Sequence, residues 1–188
     1  VTALLARHLI STAEYDRMAA AGIFAPGQRL ELIEGEIVEM SPIGFLHAVV
    51  VRRLNNLLTR LLRQDEALVD AQNPIVLGDL SEPQPDLVLL EPRDDFYADA
   101  HPGPEHVLLL VEVADTSLRF DREVKLPIYA RHLIPEVWIV DLQGKAVETF
   151  REPGPAGYER RRRLTDPAAA LSPLRLPRLQ LTVEQVLG

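Results

Sequence analysis

The chain has no cysteine, which excludes disulfides, thiolate zinc sites and cysteine nucleophiles. Any metal would have to be held by oxygen or imidazole ligands, a set that favours magnesium or manganese. Positive charge is also in short supply. Against 28 Asp and Glu there are 20 Lys and Arg, giving a formal net charge of -8. That balance disfavours wholesale wrapping of nucleic acid and leaves room only for a local basic groove. No apolar stretch is long enough to span a membrane, and the N-terminal VTALLARHLI has no long apolar segment with a small-residue cleavage site. A cytoplasmic protein is expected. With 47% hydrophobic and 26% charged residues, the 188 residues suffice for a substantial core. They read as one domain with a core of about 30 to 150 and a C-terminal strap over 151 to 188.

STAEYDRMAAAG predicts a short helix, with Ser11 and Glu14 at capping-box spacing and Gly22 at its stop. RLELIEGEIVEMSP alternates about Glu34-Gly35 and predicts a hairpin with one wet face. FLHAVVVRRLNNLLTRLLRQ has leucine and valine at helical spacing and predicts the longest helix, whose charged side carries Arg52, Arg53, Arg60 and Arg63. Strands are expected at 67–71, 74–78, 85–91, 106–114 and 136–141, with a helix over 121–133. A helix between the last two strands implies a right-handed crossover and a parallel pair. KAVETFRE and YERRRRL fit a further hairpin, and DPAAALSPLRLPRL an irregular strap.

Two strands carry one carboxylate apiece: Asp86 in QPDLVLL and Glu112 in LLLVEV. An ionised carboxylate among apolar residues is costly unless a cation sits beside it. If these strands are antiparallel neighbours, Asp86 at the start of one comes level with Glu112 at the end of the other. Parity then puts both on one face of the sheet. Such a pair could chelate a hard divalent cation, with water and phosphate oxygens completing its shell. Asp121, Lys125 and Tyr129 recur every four residues and form one stripe on a helix. Lys125 could orient an attacking water and stabilise phosphoryl charge, or act as base if its pKa were lowered. It could equally pair with Asp121. Pro127 either kinks this helix or marks its first turn.

In order, QPDLVLL, VEVADTS, DREVKLPIYA and PEVWIVD resemble the Uma-two family of restriction-endonuclease-like proteins, within the PD-(D/E)XK nuclease superfamily. ELIEGEIVEMSPIGFLH is similar to that family's N-terminal pattern, so the resemblance spans roughly residues 10 to 150. It implies an α+β fold, a mixed β-sheet flanked by helices, and magnesium- or manganese-dependent hydrolysis of DNA phosphodiesters. Pro85-Asp86 and Glu112 match the superfamily motif. Ala114 stands where its lysine is expected, and the resemblance maps that lysine to Lys125. The implied catalytic set is Asp86, Glu112 and Lys125, with metal held by Asp86, Glu112 and a further acid, for which Glu36 is chosen over Glu34. His47, Asp121 and Tyr129 would surround them, Arg52, Arg53 and Arg122 would contact DNA, and a homodimer is compatible. Two competing readings are a nuclease-like fold that binds nucleic acid or a protein partner without cleaving, and a hydrolase of a smaller phosphorylated ligand.

Overall fold

Ser11 sets the start of the first helix by a reciprocal cap. Its hydroxyl accepts from the Glu14 N–H while the Glu14 carboxylate accepts from the Ser11 N–H, and α1 (Thr12–Ala20) follows. The computed structural model describes residues 7–188. A tight hairpin, β1 (Leu30–Ile33) and β2 (Glu36–Glu39), turns at Glu34 and Gly35, both with positive φ of 49° and 81°. Position 35 needs glycine for a second reason, since a Cβ there would come within 2.6 Å of the Leu9 Cβ. The expected wet face is absent from β1. All four of its residues are buried, because Leu30 and Leu32 pack on Tyr15 of α1 while Ile33 enters the core beneath the sheet.

The longest helix, α2 (Phe45–Leu61), buries Val50, Val51, Leu54 and Leu58. After it come β3 (Leu68–Asp70), β4 (Leu87–Leu90) and β5 (Val107–Ala114). A mixed helical segment then runs from α3 (Leu118–Phe120) through a π-helical turn (Asp121–Lys125) into α4 (Leu126–Arg131). Pro127 falls in the first turn of α4, directly after the π turn that ends at Lys125. β6 (Glu136–Asp141), β7 (Ala146–Gly154) and β8 (Gly157–Leu164) complete a six-stranded sheet ordered β3-β4-β5-β6-β7-β8. Only β5 and β6 are parallel; the other neighbours are antiparallel. The predicted crossover and mixed α+β architecture are therefore present.

Residues 74–78 do not form the expected strand. They make one isolated bridge, Leu77 to Ser81, and bury Ile75 and Leu77 as an extended strap. The C-terminal stretch is more regular than its prolines suggest. β9 (Ala170–Leu171) pairs with β10 (Leu181–Thr182), and a Thr182–Gln185 capping box opens α5 (Val183–Leu187). Strand alternation sorts the core into two layers. Leu87, Leu89, Val111, Val113 and Trp138 pack on α2 and α5, whereas Val88, Leu110, Ile139 and Phe150 pack on α4. No helix among the described residues is long and apolar enough to cross a membrane.

Candidate functional site

Asp86 precedes β4 by one residue, and Leu87 pairs with Val111 of β5, so continuing the register sets Asp86 opposite Glu112. Both fall on the α4 side of the sheet, the parity the sequence implied. Asp86 is anchored at this position: its Oδ2 accepts the Val113 N–H over 2.9 Å, and Gln72 Nε2 donates to Oδ1 over 3.3 Å. His47, in the first turn of α2, brings its Nε2 to 3.0 Å from the same carboxylate.

Glu112 is 3% exposed. Its Oε1 accepts from the Tyr129 hydroxyl over 2.6 Å and from Lys125 Nζ over 3.0 Å. The π turn widens the helix between Asp121 and Lys125, and such turns commonly sit at functional sites. The stripe Asp121, Lys125 and Tyr129 thus all faces the sheet. Lys125 is not bonded to Asp121; its second bond goes to Glu31 Oε1, 2.9 Å away, while Asp121 accepts from Ser117 Oγ over 2.7 Å. Asp86, Glu112, Asp121, Lys125 and His47 line one cavity of about 390 Å³, to whose lining residues 40–44 also contribute.

Electrostatics follow from the count of charges. Four carboxylates, Glu31, Asp86, Glu112 and Asp121, surround one ammonium. Burial is the largest effect on Glu112 and lifts its pKa to about 8, with Lys125 opposing and the three other acids reinforcing the rise. Burial likewise lifts Asp121 to about 6, against the pull of Lys125. For Lys125, burial alone would lower the pKa, yet Glu112, Glu31 and Asp121 together outweigh it and hold the amine above its ordinary value. A neutral Lys125 base, one of the roles expected from sequence, is therefore unsupported.

Glu36 lies apart from this cluster. It is exposed at the turn end of β2, 3.4 Å from Arg7, while Glu31 of the adjoining strand occupies the interior. Glu31 was overlooked by assuming a solvated hairpin face. Leu30, Leu32 and Ile33 around it carry the same signal as the runs around Asp86 and Glu112, a carboxylate inside an apolar stretch. Its Oε1 also accepts the Gln84 N–H over 2.7 Å, and its buried Oε2 has no partner among the described residues. Arg122 does not face the cavity; its guanidinium grips Glu148 with bonds of 2.6 and 3.0 Å. Arg52 and Arg53 are exposed on α2.

The described residues hold no cluster of three or more Asp, Glu and His spaced as a complete metal-ligand set. The donor chemistry nonetheless suits a hard divalent cation. Magnesium is often held by one or two carboxylates with water and phosphate oxygens, and the excess of acid over ammonium here calls for added positive charge.

Comparison with known proteins bears on the family and the fold. The profile of the Uma2 family, described as "Putative restriction endonuclease", matches residues 12–184. A solved structure described as "a putative nuclease belonging to DUF820 from Anabaena variabilis ATCC 29413" superposes with a TM-score of 0.73 at 14% identity, covering 95% of this chain and 97% of that one. At that identity the likeness shows the fold. No functionally curated protein matches the sequence.

Proposed function

Because this chain belongs to the Uma2 family, we propose that it is a metal-dependent endonuclease that hydrolyses DNA phosphodiesters. The observation that carries the reading is the convergence of Asp86, Glu112 and Lys125, from two strands and a helix, on one cavity. Asp86 and Glu112 would hold magnesium or manganese, which when bound supplies charge for the phosphoryl oxygens and lowers the pKa of water. Val113 and His47 fix the Asp86 carboxylate, and Tyr129 fixes that of Glu112, so the ligand pair is set before substrate arrives. Lys125 acts as a fixed ammonium that stabilises developing negative charge. Asp121, which lines the same cavity and whose pKa burial lifts to about 6, is the acceptor for the proton shed by the attacking water.

Purified protein should nick supercoiled plasmid with magnesium or manganese, stop when EDTA is added, and lose the activity in Asp86→Asn and Glu112→Gln. Inert wild type on duplex, single-stranded and branched DNA with both metals would overturn the reading. A second reading, binding without cleavage, draws on the burial of Lys125, which is 1% exposed with its amine engaged by two carboxylates. Retardation of DNA in a gel without nicking would favour it.

A further inference from the structure

In a chain of net charge -8, the 17 residues of α2 include three arginines and no acid. Its inner side is committed to the core. Its outer side is a stripe of Phe45, Val49, Arg52, Arg53, Asn56 and Arg60, all exposed and spaced to share one helical face. Arg53 lies beside Gly188, and none of the three arginines makes a salt bridge to an acid among the described residues. Elsewhere Arg119, Arg122, Arg151, Arg161 and Arg163 are each paired with a carboxylate, while the exposed Arg17, Arg162, Arg175 and Arg178 are scattered over other parts of the chain. At the leading end, Phe45 is 94% exposed. It directly follows Pro42, Ile43 and Gly44, which line the candidate active-site cavity.

We propose that this face of α2 is a DNA-docking surface, with its arginines on backbone phosphates and Phe45 stacked on a base at the mouth of the cavity. The proposal rests on the nuclease reading for the identity of the polymer. Unpaired arginines in an otherwise acidic protein complement a polyanion. An aromatic ring beside such a charge track is the arrangement that binds bases and backbone together. From Phe45 to Arg60 the face extends about 22 Å along the helix, roughly six phosphates of one strand in a duplex. A second copy of this chain is a poorer occupant, because two-fold pairing of the same face would oppose arginine to arginine.

The test titrates fluorescein-labelled duplex and single-stranded DNA with the full chain in EDTA, followed by fluorescence anisotropy at several salt concentrations. Phe45→Ala should weaken binding about tenfold with the salt slope retained. Arg52→Ala with Arg60→Ala should weaken binding and reduce that slope by about two. In Phe45→Trp the added indole should be quenched by DNA. All these positions are solvent-facing, and an unchanged circular dichroism spectrum would confirm the fold. Unchanged affinity in both deletion variants overturns the proposal, as does a Phe45→Ala effect confined to loss of self-association in sedimentation. If wild type binds through this face yet nicks nothing with either metal, the docking surface stands and the nuclease reading falls. If wild type nicks and the variants bind and nick unchanged, the outcome is reversed.

Discussion

Lys125 Nζ donates to Glu112 Oε1 over 3.0 Å at a site where both residues are almost fully buried. The bond joins the helix after β5 to the end of β5 itself, and a second bond ties the same amine to Glu31 in the N-terminal hairpin. One ammonium thus links three separate elements. Removing one partner of a buried ion pair costs about 3–5 kcal/mol because the other is left uncompensated. Lys125→Met should lower stability by that amount, and adding Glu31→Gln should recover part of the loss. Urea unfolding followed through Trp138, the sole tryptophan and 1% exposed, measures both. A Lys125→Met variant as stable as wild type would mean the amine does not organise the cluster.

Glu31 and Glu36 are five residues apart and should behave oppositely. Glu36→Ala removes an exposed side chain whose partner, Arg7, is itself exposed; it should stay within about 0.5 kcal/mol of wild type and leave nicking unchanged. Glu31→Gln keeps the shape but weakens the hold on Lys125, and should reduce nicking at least tenfold while the Trp138 signal remains native. Equal activity in the two variants would contradict the placement of Glu31 in the working cluster.

The parts of this architecture that sequence could reveal are those governed by short-range periodicity. The apolar runs around Asp86 and Glu112 gave both strands, and period-two parity gave their shared face, because parity survives any uncertainty in where a strand ends. The crossover after β5 was legible from the apolar runs on either side of it. Glu31 was missed because alternation cannot say whether a hairpin's second face meets solvent or another layer. Here the bridge between Leu32 and Glu82 presses β1 onto the chain leading into β4, a contact set by residues fifty apart. The same limit hid the partner of Arg122, since nothing local to Asp121 or Lys125 indicates that Glu148 on β7 will reach it. Residues 74–78 have strand-like composition yet find only one bridge, because β3 occupies the edge beside β4.

Arg122 should prove structural. Glu148 is fully buried and accepts from Arg122, Arg161 and Arg163 at once. Burial alone would raise its pKa, but those guanidinium bonds outweigh it and hold it below the ordinary range. A depressed carboxylate pKa contributes stability above its unfolded value that is lost as pH falls through the folded one. Glu148→Gln should therefore lower stability by about 2–4 kcal/mol at neutral pH, with less difference from wild type under acid. Arg122→Ala should lower the melting temperature and leave the salt dependence of DNA binding unaltered. A reduced salt slope in Arg122→Ala would instead make it a phosphate contact.

Glu112, Asp121 and Glu82 shift in the other direction, and this sets the protein's response between mild acid and mild base. Burial raises Glu112 to about 8, Asp121 to about 6 and Glu82 to about 7, the last reinforced by Asp16. A carboxyl whose folded pKa exceeds its unfolded one binds more protons in the folded state. Its contribution is complete below the unfolded value, 4.5 for the two glutamates and 3.8 for Asp121, and is lost as pH climbs through the folded value. Stability should accordingly fall from about pH 4.5 to about pH 8. Glu82→Gln, outside the cavity, should flatten the part below about pH 7 by roughly 1–3 kcal/mol. Magnesium would compete with protons for Glu112, so millimolar MgCl2 should raise the melting temperature more at pH 8 than at pH 6. Asp86→Asn should abolish that increment without altering the slope due to Glu82. A magnesium effect equal at both pH values, or retained in Asp86→Asn, would place the cation elsewhere.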